Sequence, residues 1–388
     1  MNKVRFLWTA VLAAASAAVL GGCGSYGESE GAQIIRVAFN QSEAHPEYIA
    51  MTEFGEKFKE ATDGRYEVQI YPNAIMGDQG PVTELVRTGA LQMAMVPVSV
   101  PEGYNSDFAI VSAPYLYDST DQLLEAGKQG VFDELFETTK KFNFEVVSLY
   151  SSALRSIYTD KPIEKPEDLK GYKIRVQDSD TYIRMIDLMG GVGIAMGQSE
   201  VYTAIQQKVI EGGENSERVY TDFKHYEVAP YFSYTNHLVM ADLVIANTDF
   251  VNSMSEEDRE IFYRLMDESM EQEFALMDES VREGKKEAQE KGAIFVEPDI
   301  EPFRERAACL SSWRLLISLR LQGRSMTGYR LLRQSCREQR KEDSHEPGKN
   351  YIRQDHRAGE HSDFYGDGSS CNLSGICPLC LKQPQCLQ

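Results

Sequence analysis

Apolar side chains recur along the first three quarters of the chain with two alternating periods, one typical of strands and one of helices. Ile34–Phe39 and Glu145–Leu149 are short apolar runs that predict buried strands. Met51, Phe54 and Phe58 are spaced three and four residues apart, which predicts the buried stripe of a helix. Because strands and helices of this kind follow one another, we expect an α/β fold with mostly parallel sheets flanked by helices.

The second half of this region follows the same pattern. Lys173–Val176 predicts a strand, Asp180–Met189 a helix, and Ser199–Gln207 another helix capped by its first serine. Ser255 and the three acidic residues after it predict the start of a long helix that reaches about Glu290. The many charged residues of this helix are expected to form a solvated face.

The balance of charge narrows the possible partners. The chain has 388 residues, enough for two domains with large cores, and a formal net charge of −20. Phosphate binding needs a basic surface, so this acidic balance argues against nucleic acid as a partner.

Enzymatic motifs are missing from the sequence. It contains no GxSxG, GxxxxGK[ST] or HExxH, and no GxGxxG after a strand. His45 is expected in the first loop as a cap or cleft residue, His225 on a surface helix, and His237 in a buried structural role. We therefore predict a binding protein with no catalytic residues, no cofactor and no metal site, and an extracytoplasmic hydrolase is the enzymatic alternative.

The N-terminus has the pattern of a targeting segment. Lys3 and Arg5 precede the apolar stretch Phe6–Leu20, which is too short to span a bilayer. The following Gly-Gly-Cys resembles a bacterial lipoprotein signal, so residues 1–22 are expected to be removed and Cys23 to be lipidated. Residues 23–32 would then form a flexible tether, and the lipid would hold the protein on the outer side of the cell membrane. The alternative is an ordinary signal peptide with a chance cysteine.

The C-terminal residues 307–388 differ in composition from the rest. They carry 12 basic and 8 acidic residues, against 28 and 52 before them, and they contain six of the seven cysteines. We interpret this segment as an aberrant, frameshifted and disordered tail. The alternative is a zinc site, but the spacing C-x5-C-x2-C-x5-C has only one CxxC pair, which is weak evidence for metal. Its four cysteines are Cys371, Cys377, Cys380 and Cys386.

Two arginines and an asparagine are the candidates for binding chemistry. They are Arg155 in ALRSIY, Arg175 in GYKIRVQDSD and Asn215 in VIEGGENSE. Arginine keeps its charge at physiological pH and presents a fork of donors that matches a carboxylate. Arg175 lies in a predicted strand whose apolar neighbours share the opposite face, and charged groups near the end of such a strand point into a ligand crevice. Taken singly, each arginine is also compatible with a solvated or salt-bridged surface position.

The surroundings of these residues resemble the solute-binding proteins of tripartite ATP-independent periplasmic (TRAP) transporters, of the DctP-like type. The resemblance runs from about Ile34 to Arg306 and includes HPEYIAMTEFGEKFKEATDGRYEVQIYPNAIMGDQGPVTELV, KPIEKPEDLKGYKIRVQDSD and GQSEVYTAIQQKVIEGGENS. It implies a two-lobed periplasmic-binding-protein-like fold with a ligand cleft between the lobes and one long helix spanning both. Lobe one would comprise 33–153 plus 242–280, and lobe two 154–241 plus 281–306.

The resemblance also implies roles for site residues. Arg175 would make a two-pronged salt bridge to a ligand carboxylate, supported by Arg155 and Asn215, and Glu214 would orient Arg175. Gln198 stands where many relatives place an aromatic residue against the ligand, which favours a polar ligand body such as a hydroxylated sugar acid.

The implied function is capture of a small organic acid and its delivery to integral-membrane TRAP permease subunits. C4-dicarboxylates, uronates, aldonates and keto acids all satisfy one carboxylate site, so the ligand stays open at this point. The alternative function is a degenerate surface lipoprotein that keeps the binding fold without its C-terminal helix.

Overall fold

The computed structural model describes residues 31–308 and residue 310. The predicted signal peptide, most of the predicted tether with Cys23, and the four tail cysteines lie outside these residues. Within the described part of the chain, no helix is both long and apolar enough to cross a membrane. No cluster of three or more acidic, histidine or cysteine side chains there could hold a metal ion.

Residues 31–308 form strands and helices in alternation, as the apolar periodicity predicts. The strands are β1 (Gln33–Ala38), β2 (Tyr66–Tyr71), β3 (Met93–Pro97), β4 (Phe144–Thr159), β5 (Lys173–Val176), β6 (Val192–Ala195), β7 (Gly212–Asn215), β8 (Tyr231–Asn247) and β9 (Ile294–Val296). The helices are α1 (Pro46–Ala61), α2 (Gln79–Arg87), α3 (Ser99–Tyr104), α4 (Thr120–Lys128), α5 (Asp133–Glu137), α6 (Asp180–Met189), α7 (Val201–Gln206), α8 (Glu217–Asp222), α9 (Thr248–Ser253), α10 (Glu256–Glu290) and α11 (Glu301–Ala307).

The described strands form one mixed sheet in the order β2-β1-β3-β8-β4-β7-β5-β6, with β9 beside β8. The flanks are parallel, since β1 pairs with β2 and β3, and β5 pairs with β6 and β7. The centre is antiparallel, because β4 pairs with β8 and β7, and β8 also pairs with β3. The expected α/β fold is confirmed, and the antiparallel centre is a feature that the periodicity did not indicate.

Strands β4 and β8 are much longer than the apolar runs that predict them. β4 has 16 residues and β8 has 17, and nearly all of their side chains are buried. The last part of β8 pairs with β3 and the last part of β4 pairs with β7, so the two long strands connect both flanks of the sheet. The pair is bent by register shifts between Val146 and Ser148, Ser151 and Leu154, and Arg155 and Ile157.

The long helix α10 packs on both lobes, as the family resemblance implies. Its 35 residues extend about 52 Å at 1.5 Å per residue. The Ser255 hydroxyl accepts a hydrogen bond from the backbone N–H of Asp258 at 3.1 Å, which caps the first turn. Toward its N-terminal end the helix contacts α1 and β4, and further along it contacts α8. The short α11 follows in lobe two, where Phe303 and Ala307 are fully buried in the core.

Two local expectations are wrong. Ser199 does not cap a helix, because Gln198–Glu200 form a 3-10 turn before α7 and the capping position belongs to Glu200. His225 is not on the surface; it is fully buried and its ring stacks on Tyr158 with centroids 5.1 Å apart. His45 caps α1 by accepting from the Glu47 N–H at 3.4 Å, as expected.

Gly284 is the point where α10 comes closest to α8, and it generates a prediction about stability. A Cβ added there would lie 2.9 Å from the Arg218 Cα, which is backbone and cannot turn aside. Alanine normally gains about 1 kcal/mol over glycine inside a helix. Overpacking costs roughly 1–3 kcal/mol, so Gly284→Ala should lower the free energy of unfolding. Urea denaturation measures the change.

The matched control is Gly80→Ala in α2, where an added Cβ meets no atom within 4 Å. This variant should be as stable as the wild-type protein or slightly more stable. Equal gains in the two variants would show that α10 and α8 are not in close contact in solution.

Candidate ligand-binding site

Strand β7 brings the candidate residues of two other strands together. It pairs with β4, where Ser156 lies opposite Asn215, and with β5, where Arg175 lies opposite Gly213. The Arg155 and Arg175 side chains are 1% and 3% exposed, so both guanidinium groups are buried rather than solvated.

Close approach in this part of the sheet depends on glycine. A Cβ on Gly213 would lie 2.5 Å from the Tyr158 hydroxyl oxygen, and a Cβ on Gly212 would clash with the Tyr158 carbonyl oxygen. The two glycines therefore let β7 fit between β4 and β5 with both arginines inside the protein.

Arg155 is held by the protein itself. Its Nε donates to Glu214 Oε2 at 2.5 Å, and its Nη2 donates to Glu214 Oε1 at 2.7 Å and to the Glu214 carbonyl at 2.8 Å. Its Nη1 donates to Asn215 Oδ1 at 2.9 Å. This contact corrects the expectation for Glu214, which binds Arg155 directly and does not contact Arg175. The strand geometry explains the difference, because Glu214 pairs with Ile157 on the strand that carries Arg155.

The ionised state of Glu214 depends on this contact. Burial alone would raise its pKa, but attraction and hydrogen bonds from Arg155, assisted by His237, lower the pKa from its usual value near 4.5 to about 2. His237 Nε2 lies 3.4 Å from Glu214 Oε2, and burial lowers the pKa of His237, which keeps its ring neutral. Arg155 and Glu214 thus form a buried pair without net charge.

Arg175 has no such partner. Its Nε donates to the Met196 carbonyl and its Nη1 to Gln198 Oε1, both at 2.9 Å, and both acceptors are neutral. Among the described residues no carboxylate lies within ion-pair distance of this guanidinium. Burial lowers its pKa, which reflects the unfavourable free energy of an uncompensated charge inside the protein. Within the described residues, Arg175 is therefore a buried cation without an anion.

A small pocket adjoins this cation. Four predicted site residues line it: Arg155, Arg175, Gln198 and Asn215. The fifth, Glu214, is not among its lining residues and contacts Arg155 from within the sheet.

Sequence reasoning missed the other polar groups of the pocket. Asn40 and Gln41 follow β1, Gln177 follows β5, Gln79 begins α2, and Asp242 lies in β8. Asn40, Gln41 and Gln177 lie within three residues of the carboxyl ends of parallel strands, where ligands bind in open α/β sheets. Their place after a strand was visible in the sequence. It was not sufficient, because amide side chains are common in loops and the ends of β1 and β5 had to be located first.

Comparison with known proteins decides the class to which this site belongs. The model of the family described as "Bacterial extracellular solute-binding protein, family 7" matches residues 37–312, which include every candidate ligand-binding residue. The chain belongs to this family. Family members bind and transport solutes, so this solute-binding protein is not an enzyme, and it is extracytoplasmic.

Individual relatives agree with that assignment. A solute-binding protein of Chromohalobacter salexigens is 32% identical over 257 residues, covering 66% of this chain and 76% of the relative. A TRAP periplasmic solute-binding protein of Anaerococcus prevotii, solved with bound D-glucuronate, is 34% identical with a TM-score of 0.70. It covers 80% of this chain, and 99% of its own chain is matched. The two-lobed TRAP solute-binding fold is therefore confirmed.

The buried pair of Arg155 and Glu214 generates a prediction about pH. At pH 7, Glu214→Gln should lower the free energy of unfolding by roughly 3–5 kcal/mol, because it leaves a buried charge unpaired. Because the pKa of Glu214 is depressed, its ionised carboxylate contributes fully to the free energy of unfolding above pH 4.5, and this contribution is lost as pH falls toward 2. The difference between wild type and variant should therefore shrink over that interval. Denaturant titrations at several pH values measure it, and a constant difference would contradict the assignment.

Proposed function

We propose that this TRAP solute-binding protein captures a small organic acid through a salt bridge between Arg175 and the ligand carboxylate. It then delivers the acid to the integral-membrane permease subunits of the transporter. The observation that carries the proposal is the Arg175 guanidinium, which is 3% exposed and makes hydrogen bonds only to neutral acceptors. A bound carboxylate supplies the missing charge in a region of low dielectric, where such a pair is strong.

The free donors suit a two-pronged contact. A guanidinium has five N–H groups, and Arg175 uses one on Nε and one on Nη1 inside the protein. The remaining N–H groups lie on its two terminal nitrogens, which match the two oxygens of a carboxylate. Asn215 accepts through Oδ1 from Arg155, so its amide nitrogen is left as a further donor to the same carboxylate.

A sugar acid is the ligand class that the pocket and the relatives favour. The Anaerococcus prevotii protein and a TRAP periplasmic solute-binding protein of Chromohalobacter salexigens were solved with bound D-glucuronate. Ten of the eleven residues lining the pocket here are polar or charged, and Pro97 is the exception. A degenerate lipoprotein is disfavoured, because the buried charges of the site are intact and α11 is docked on the core.

The proposal is tested by replacing Arg175 with methionine and with lysine. Arg175→Met should weaken binding of D-glucuronate by roughly 2–5 kcal/mol, because the carboxylate loses its partner. Arg175→Lys should keep only part of the wild-type affinity, since lysine lacks the planar fork of N–H donors. Without ligand, the Met variant should be at least as stable as wild type, because no internal ion pair is broken. Calorimetry and thermal unfolding measure the two effects.

The control is Arg36→Met, which removes the same charge from an exposed position of β1. It should leave the affinity unchanged. If Arg175→Met binds the acid as tightly as wild type, the carboxylate is held elsewhere and the proposal is wrong.

We also propose that Cys23 carries the lipid that holds the protein at the membrane. Cys23→Ser removes the residue that would carry the lipid, and stable anchoring takes two or more acyl chains. The variant should therefore move from the membrane fraction to the soluble extracytoplasmic fraction. Immunoblots of fractionated cells measure the distribution, and the ligand affinity of the purified protein should not change. A wild-type protein found wholly in the soluble fraction would refute the anchor.

A further inference from the structure

A second set of buried charges borders the same pocket, on the side of lobe one. Glu47 on α1, Asp242 on β8 and Glu273 on α10 carry three carboxyl groups that influence one another electrostatically. Asp242 also lines the pocket. Its Oδ1 and Gln41 Oε1, which belongs to another lining residue, are buried and have no hydrogen-bond partner among the described residues.

The proton distribution in this group follows from the contacts. Neither Glu47 oxygen receives a hydrogen bond from another described residue, and burial raises the pKa of Glu47 well above its usual range. Burial also raises the pKa of Asp242, but the charge of Arg155, beside which Asp242 lines the pocket, acts against that rise. Of these two neighbouring acids, Glu47 is therefore the one that holds a proton more readily and Asp242 the one that ionises.

Arg155 is a cation that acts on this group, but Glu214 already compensates its charge. His45 is the basic side chain nearest to Glu47, with Nδ1 3.7 Å from Oε1. Its Nδ1 accepts the Glu47 N–H, and burial lowers the pKa of His45 to about 3, so the ring is neutral. Glu273 receives only the Ser151 N–H at 2.7 Å, and burial keeps its pKa well above the usual range.

We propose that Asp242 selects the ligand by accepting hydrogen bonds from its hydroxyl groups and repelling a second carboxylate. The pocket therefore takes polyhydroxy monocarboxylates and rejects dicarboxylates. An ionised carboxylate has about four acceptor positions, and Asp242 Oδ1 has no hydrogen-bond partner among the described residues, so Asp242 has capacity left for ligand hydroxyl groups. Gln41 Oε1 offers one more acceptor, while Gln198 Nε2, also buried and unpartnered, offers a donor. This inference rests on the proposed capture of a carboxylate by Arg175.

Three six-carbon acids test the selection by isothermal titration calorimetry. D-glucuronate and D-gluconate carry one carboxylate, and D-glucarate has the gluconate chain with a second carboxylate at its other end. Wild-type protein should bind the tighter monoacid at least about tenfold better than glucarate, because close like charges repel strongly at low dielectric. Asp242→Asn keeps an acceptor oxygen and removes the charge, so it should reduce that ratio to within about threefold.

Two further variants keep the test decisive. Glu43→Gln removes one negative charge from an exposed position of the loop before α1 and should leave the ratio unchanged. Gln41→Glu adds a carboxylate to the pocket wall and should increase the preference for the monoacid, which gives a second measure if Asp242→Asn does not fold.

The outcomes separate this inference from the proposed function. A wild-type ratio near one, an unchanged ratio in a folded Asp242→Asn protein, or loss of all ligands by that folded variant overturns the role of Asp242. If Arg175→Met still weakens binding in those cases, the capture of a carboxylate stands. If wild-type protein binds none of the acids, both proposals fail.

Discussion

Burial of two guanidinium groups on the strands that flank β7 is the constraint on which the site depends. Arg155 and Arg175 repel each other, and burial removes the water that would screen them. Glu214 compensates one of the two charges, which requires β7 to lie between the strands that carry the arginines. The other charge, on Arg175, has no anion among the described residues, which is why we propose it as the partner of a ligand carboxylate.

Much of the fold could be predicted from local sequence. Helix α6 begins and ends where the sequence predicts, because Ser179 caps it through the Tyr182 N–H and Gly190 ends it with a left-handed backbone. The start of α10 was equally clear from Ser255 and its acidic first turn. The lengths of β4 and β8 were not predictable, because a strand buried on both faces loses the alternation that marks a strand.

The sequence allowed single site residues to be predicted from their chemistry. It did not allow their contacts with one another to be predicted. Arginine and asparagine in strand-like surroundings indicated a carboxylate site, but the partner of Glu214 depends on which strands lie side by side. His225 was misassigned because Lys224 and Tyr226 suggest an exposed helix, whereas the ring is buried against Tyr158. The carboxyl group of Asp242 escaped notice because Glu47 and Glu273, which set its environment, are distant in sequence and meet it only in three dimensions.

The continuous strands β4 and β8 have a mechanical consequence. Because their antiparallel ladder runs from one lobe into the other, the lobes are joined by a two-stranded ribbon as well as by α10. Relative movement of the lobes must therefore bend this ribbon, and the bend is concentrated where the register shifts occur. Ala153 lies at one of these shifts with a left-handed φ of 63°, a conformation that is strained for a residue with a side chain. A displacement of the lobes would therefore have to change backbone angles in this ribbon, where Ala153 already has an unfavourable conformation.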